Sequence, residues 1–209
     1  MSLTIFYDEN KKKHYYNCAV EEIKWPDSLQ TIKFEGKFNQ PIDKVKWPES
    51  LQEIVFSYGF DQPIDNIKLP KHLKIINFGF DFNQPIENIK LPESLQKIWF
   101  GIRFNHPIEN VKWPSLLQKL TFSWYFNQPI DNVKWSESLN TIIFKTDFNQ
   151  PINFLPEGLK VLKIYGDLSK KNNIIKFLKC LPRSLKELHI EKENNNLIPE
   201  VLREKIRYL

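Results

Sequence analysis

Residues 38–59 read FNQPIDKVKWPESLQEIVFSYG, and residues 60–81 read FDQPIDNIKLPKHLKIINFGFD. The opening Phe recurs at Phe82, Phe104, Phe126 and Phe148, always 22 residues on, and in each copy but one it begins Phe-Asn-(Gln or His)-Pro-Ile. The exception carries Asp61, and a weaker copy starts 22 residues before Phe38, at Tyr16-Asn17. A fixed period of roughly 20 to 30 residues is the mark of a solenoid, because a unit that short cannot bury its own apolar face and needs stacked neighbours to do so.

Within each copy the apolar residues hold fixed offsets. One copy places Phe38, Ile42, Val45, Trp47, Leu51, Ile54 and Phe56; another places Phe126, Ile130, Val133, Trp135, Leu139, Ile142 and Phe144. These columns are the expected core. The segment Leu-x-x-Ile-x-Phe alternates as a short strand does, with Ile and Phe pointing in and the residue between them pointing out. It occurs at Leu29, Leu51, Leu73, Leu95, Leu117, Leu139, Leu159 and Leu185, which predicts at least eight parallel strands side by side. Two sets of prolines limit the return path: Pro41, Pro63, Pro85, Pro107, Pro129 and Pro151 near the start of each copy, then Pro48, Pro70, Pro92, Pro114 and Pro156 before the strand. Each fixes φ and interrupts regular helix, so the returns are expected to be extended or built from single helical turns.

Repeated Phe-Asn-Gln-Pro-Ile followed by (Trp or Leu)-Pro-x-Ser-Leu-x-x-Ile resembles the FNIP repeat, over about residues 16 to 166 with degenerate copies to near residue 190. That family is related to leucine-rich repeats and abounds in amoebae and the giant viruses that infect them. The resemblance agrees with the fold class the columns predict: a leucine-rich-repeat-like solenoid with parallel β-strands on one face, extended or short helical-turn returns and little α-helix. Some relatives carry an N-terminal F-box, which recruits a ubiquitin ligase and leaves the repeats to hold its substrate. Here only some 15 residues precede the first repeat, too few for that helical domain, so the ligase role is not carried over.

A stack of parallel strands leaves an open edge at each end, and terminal units are expected to be atypical. Residues 3–7 and 14–17 flank the polar stretch Asp8-Glu9-Asn10-Lys11-Lys12-Lys13, which reads as a hairpin over the first repeat. The expected division of one structural domain is a capping hairpin over 1–15, seven repeats over 16–167, and a degenerate repeat with a C-terminal cap over 168–209. A short helix is expected around Ile174-Ile175-Lys176-Phe177-Leu178, while the segment from Ile198 to Ile206 fits either a last strand or a capping helix.

The chain has 209 residues and a formal charge of +5. No window approaches the roughly 18 to 20 apolar residues of a membrane span, and the start lacks the charge order of a secretion signal, so the chain is expected to be intracellular, cytoplasmic, and in the host cytoplasm if viral. Lys24, Lys46, Lys68, Lys90, Lys112 and Lys134 form one column, and Glu21, Asp43, Asp65, Glu87, Glu109 and Asp131 form another three residues ahead. Two ladders of opposite sign at strand spacing offset each other and argue against a phosphate-tracking stripe, so nucleic acid is not an expected partner.

Candidate chemistry is sparse. Asn39, Asp61, Asn83, Asn105, Asn127 and Asn149 stand at one point of every coil, where an Asx side chain satisfies backbone groups of the turn and its neighbour; the following Gln column reads the same way. Cys18 and Cys180 lie about seven coils apart, on the order of 30 Å, beyond disulfide reach, and are expected to be small core residues. His14, His72, His106 and His189 occupy unrelated repeat positions, and the chain lacks a metal-site spacing, a phosphate loop and a nucleophile motif. A non-enzymatic protein without cofactor or metal is the expectation.

Four of the tryptophans, Trp25, Trp47, Trp113 and Trp135, occupy a core column. Trp99 and Trp124 do not. Trp99 takes the outward strand position held elsewhere by Val55 and Ile143; Trp124 follows its strand, where Tyr58 and Ile102 stand in other copies. With Ile75 these residues would line the concave face of the central coils over roughly 20 Å. A patch of this kind, rimmed by Lys97, Lys119 and Glu53, is the expected site for a protein partner, with architectural self-association as the competing role and ligase adaptor as a third.

Overall fold

The computed structural model describes residues 4–7, 10, 12–16 and 18–209. Leu3, Asp8, Glu9 and Lys11, placed by sequence in the expected hairpin, and Asn17 of the weakest copy lie outside the described residues. The strands are β1 (Thr4–Tyr7), β2 (Lys13–Tyr16), β3 (Thr31–Phe34), β4 (Glu53–Val55), β5 (Ile75–Asn77) and β6 (Lys97–Trp99). They continue with β7 (Lys119–Thr121), β8 (Thr141–Phe144), β9 (Val161–Ile164), β10 (Glu187–Ile190) and β11 (Ile206–Tyr208). All join one sheet in the order β11-β10-β9-β8-β7-β6-β5-β4-β3-β1-β2. From β3 to β11 the pairing is parallel, and Ile32, Ile54, Ile76, Ile98 and Leu120 stand opposite one another in register. β1 pairs antiparallel with both β2 and β3, which places a hairpin on that end of the sheet.

The return path follows from the prolines. Leu51 N–H donates to the carbonyl of Pro48 at 3.1 Å, and the same bond forms from Leu73 to Pro70 and from Leu95 to Pro92. A second single turn runs from Val45 N–H to the Ile42 carbonyl at 3.3 Å. Each coil is thus two isolated turns joined by extended chain. Neighbouring coils also bond directly, as Gln52 N–H does to the Gln30 carbonyl at 2.8 Å.

Two phenylalanine columns meet in the core. Within a coil the rings stack closely, at 3.8 Å between the centres of Phe144 and Phe148 and 4.4 Å for Phe78 and Phe82. Between coils the spacing opens, to 6.0 Å for Phe60 and Phe82. The result is a continuous aromatic spine, in which each offset pair adds about 0.5–1.5 kcal/mol beyond area burial. Trp47, Trp113 and Trp135 are half-buried along one border of this core.

The Asx column is a hydrogen-bonded ladder. Asn105 Oδ1 accepts from Asn127 N–H at 2.9 Å, and Asn127 Oδ1 accepts from Asn149 N–H at 2.8 Å. Gln128 Nε2 donates to both oxygens of Asn105, and Gln150 Nε2 does the same to Asn127. Asp61 works as well as Asn because only acceptors are needed: it receives Asn83 N–H at 2.8 Å and Gln84 Nε2 at 2.9 Å.

Beyond β9 the repeat loosens. The helix α1 (Asn172–Phe177) sits between single 3-10 turns, and the buried Asn194 accepts from Leu168 N–H and donates to the Gly166 carbonyl. Lys171 is buried and donates to the carbonyls of Thr146 and Phe148. Burial pushes its ammonium below the usual lysine range, opposed by the nearby Asp147, Asp167 and Glu191. The C-terminal segment supplies both alternatives, a 3-10 stretch over Glu200–Lys205 and then β11. One expectation fails here: Cys180 is exposed beside α1, not a core residue, because the insertion carrying it leaves the repeat register, while Cys18 packs half-buried against the core.

Candidate functional site in a groove on the outward strand face

Each three-residue strand turns its middle residue inward and its flanking residues outward, so the sheet presents two rows of outward side chains. One row contains Ile75, Lys97 and Lys119; the other contains Val55, Asn77, Trp99, Thr121, Ile143 and Lys163. At the strand ends the second row borders a groove of about 460 Å³. Three positions of successive coils line it: Asn77, Trp99, Thr121 and Ile143 from the strands, Ser57, Gly79, Gly101 and Ser123 after the core Phe, and Tyr58, Phe80 and Ile102 one residue further. Lys145 and Tyr165 complete it.

The glycines are required by the close stacking of the loops. Gly79 has φ +79°, and its N–H donates to Asn77 Oδ1 at 3.0 Å in a local Asx-type turn. A Cβ on Gly101 would stand 2.1 Å from the Gly79 carbonyl oxygen, so no larger residue fits without moving backbone. These two positions keep the groove open beside Trp99.

Of the residues expected to bind a partner, Trp99, Tyr58, Ile102 and Ile143 line the groove. Ile143 is nevertheless only 8% exposed, so it supports the groove more than it offers surface. Val55 and Ile75 are half-buried on the strand face outside the groove. Trp124 is 52% exposed and lies outside the lining, beside the equally open Tyr125. Phe80, Tyr165 and Lys145 were not anticipated. Phe80 shares its repeat position with Tyr58 and Trp124, so column alignment contained the signal, and its ring centre is 5.6 Å from that of Tyr58. Tyr165 and Lys145 fall where the four central coils carry Ser or Gly, a change of residue class that repeat averaging hides.

Cations surround the aromatic residues. Lys119 Nζ lies 5.5 Å over the Trp99 ring, within cation–π range, and Lys145 Nζ lies 3.4 Å from the Tyr165 ring centre. Burial, then the charges of Lys163 and Lys97, push the Lys119 ammonium below the usual lysine range. Glu53 on the same face is 4.0 Å from Lys33. Glu187 accepts a 2.8 Å hydrogen bond from His189, which holds its carboxyl below the usual range. Among the described residues no three of His, Cys, Asp or Glu gather as a metal site would need, and no helix is long and apolar enough to cross a membrane. The outer Lys and Asp/Glu columns are exposed, and no ion pair among the described residues joins them.

One parallel strand per 22-residue coil, one shared core and a side-chain-bearing strand face define a leucine-rich-repeat-like solenoid. The FNIP repeat model matches residues 38–81, 60–103, 82–125 and 126–167, more than half the chain, and the chain belongs to the FNIP repeat family. Its fold is similar to a solved structure described as CroV588, a novel circular LRR protein, with TM-score 0.66 and 36% identity. That similarity covers 80% of this chain and 24% of the other, so the chain spans about a quarter of the structure it matches. No curated protein matches it.

Proposed function

We propose that this chain is a non-enzymatic protein-binding module, acting inside the cell, that engages its partner through the outward strand face. The observation that carries the reading is the aromatic cluster at the groove: Trp99, Tyr58 and Phe80 line an open cleft, with Trp124 exposed beyond it. Aromatic anchors in a recess are the residues that dominate binding energy at protein interfaces. The fate of the polar columns supports the absence of catalysis, since the Asn and Gln side chains are engaged by backbone and by one another along the stack.

The test replaces Trp99 and Trp124 together by Ser. Folding and melting are expected to stay close to the parent, because neither side chain is in the core, while affinity for a partner captured from the native cell and identified by mass spectrometry falls at least tenfold, about 1.4 kcal/mol. An unfolded double variant would make the tryptophans structural, and equal affinity would move the binding surface elsewhere. A second reading, self-association, is favoured by the exposed apolar residues Tyr208 and Leu209 at and just after β11. Solution mass across a concentration series separates the two: a mass that stays monomeric removes this reading.

A further inference from the structure

The residue following the core aromatic is small in the central coils, at Ser57, Gly79, Gly101 and Ser123, and becomes large at Lys145 and Tyr165. Four small residues at strand spacing open a trough about 15 Å long, closed at one end where the Lys145 ammonium lies against the Tyr165 ring. Its volume of about 460 Å³ lies near the low end of the roughly 300–1,000 Å³ typical of small-ligand sites. That is room for a few side chains of a segment, not for the face of a domain. Thr121 lines the trough, is 8% exposed, and its hydroxyl makes no hydrogen bond among the described residues.

The charge around the trough has one sign. Lys97 and Lys119 stand beside Trp99 on the strand face, Lys163 continues the row of Trp99, and Lys145 closes the end. No carboxylate lines it. The acids on the same face stand further out and already have partners, Glu53 with Lys33, Glu187 with His189, and Glu35, one coil beyond Ser57 in the small-residue column, with Lys13. Burial and mutual repulsion disfavour the Lys119 cation, a penalty that an incoming anion would relieve.

Resting on the reading of this face as a protein-binding surface, we propose that the trough takes a short extended peptide segment in which an aromatic side chain is flanked by carboxylates. The ring packs against Trp99 over the glycine backbone, and the carboxylates pair with Lys119 on one side and Lys145 on the other.

Selection of short random peptides displayed on phage against the intact chain tests this, followed by fluorescence anisotropy with the synthesised winners. The expected result is enrichment of sequences with Asp or Glu around one aromatic residue. Their affinity should fall at least tenfold in Lys119→Gln/Lys145→Gln and in Trp99→Ser, fall as salt rises from about 0.05 to 0.5 M, and stay unchanged in Lys24→Ala on the outer ladder. Melting curves confirm that each variant is folded. Winners without acidic residues, winners indifferent to the lysine pair, or displacement by oligo-dT of matching length at equal concentration would each overturn the proposal. If these failures occur while partner affinity still depends on Trp99 and Trp124, the surface reading stands and the peptide chemistry is wrong; if partner affinity is also indifferent, both fall.

Discussion

Asn127 shows what a single residue contributes to this molecule. Its Oδ1 accepts the backbone N–H of Asn149 at 2.8 Å and the side chain of Gln150 at 3.0 Å, so one atom ties two coils at a point where neither has a ladder partner. Asn127→Ala removes that acceptor and leaves a partly buried donor unmet, expected to cost about 1–3 kcal/mol. Asn127→Asp keeps the acceptor, as Asp61 does naturally, and is expected to stay within about 0.5 kcal/mol of the parent. Chemical denaturation of the two variants checks both; an Ala variant as stable as the parent would mean that solvent replaces the bond. This column was legible in the sequence because a polar residue recurring at one point of every coil has a backbone job wherever the coil turns. Lys171 was not, since it donates to the Thr146 and Phe148 carbonyls from outside the repeat register, and nothing periodic announces it.

At the scale of the element, a strand of three residues has little stability of its own and exists because its central side chain is packed on every side. Ile98 in β6 is fully buried between Ile76 and Leu120, whereas Lys97 and Trp99 on either side of it face outward. Ile98→Asp places a charge without a partner in that row, at a cost of several kcal/mol. The expected outcome is loss of the cooperative melting transition in circular dichroism. Trp99→Ser, one residue away, is expected to melt like the parent, and similar curves for the two variants would contradict the facing assigned to the strand. The strands and the broken return path were readable because period-two alternation and paired prolines act locally. The groove was only half readable. Trp99, Tyr58 and Ile102 announce themselves as large residues at outward positions, but the recess depends on Gly79 and Gly101 approaching within van der Waals distance across coils, and that geometry comes from stacking.

The whole molecule is a one-dimensional stack, and its stability should vary along the sheet. A coil in the middle buries its two faces of the phenylalanine spine against neighbours on both sides, while among the described strands β11 pairs with β10 alone and β2 with β1 alone. In such a stack stability is approximately a sum of unit and neighbour terms, so opening should begin at the ends and move inward. The C-terminal end has the looser construction: the aromatic spine stops at Phe148, the core positions that follow carry Ile164, Leu168 and Ile190, and the Asx ladder gives way to the single Asn194 bridge. Hydrogen exchange followed by mass spectrometry on peptic fragments is therefore expected to show the amides of β5 to β8 as the slowest, with β11 and the adjoining Glu200–Lys205 stretch exchanging at least tenfold faster under native conditions. A gradient of this kind would also keep the groove, built on β4 to β9, inside the most persistent part of the stack, as a preorganised recess requires. One common exchange rate for every strand would show instead that the chain opens only as a single cooperative unit, and that the end coils are coupled to the centre as strongly as the central coils are to one another.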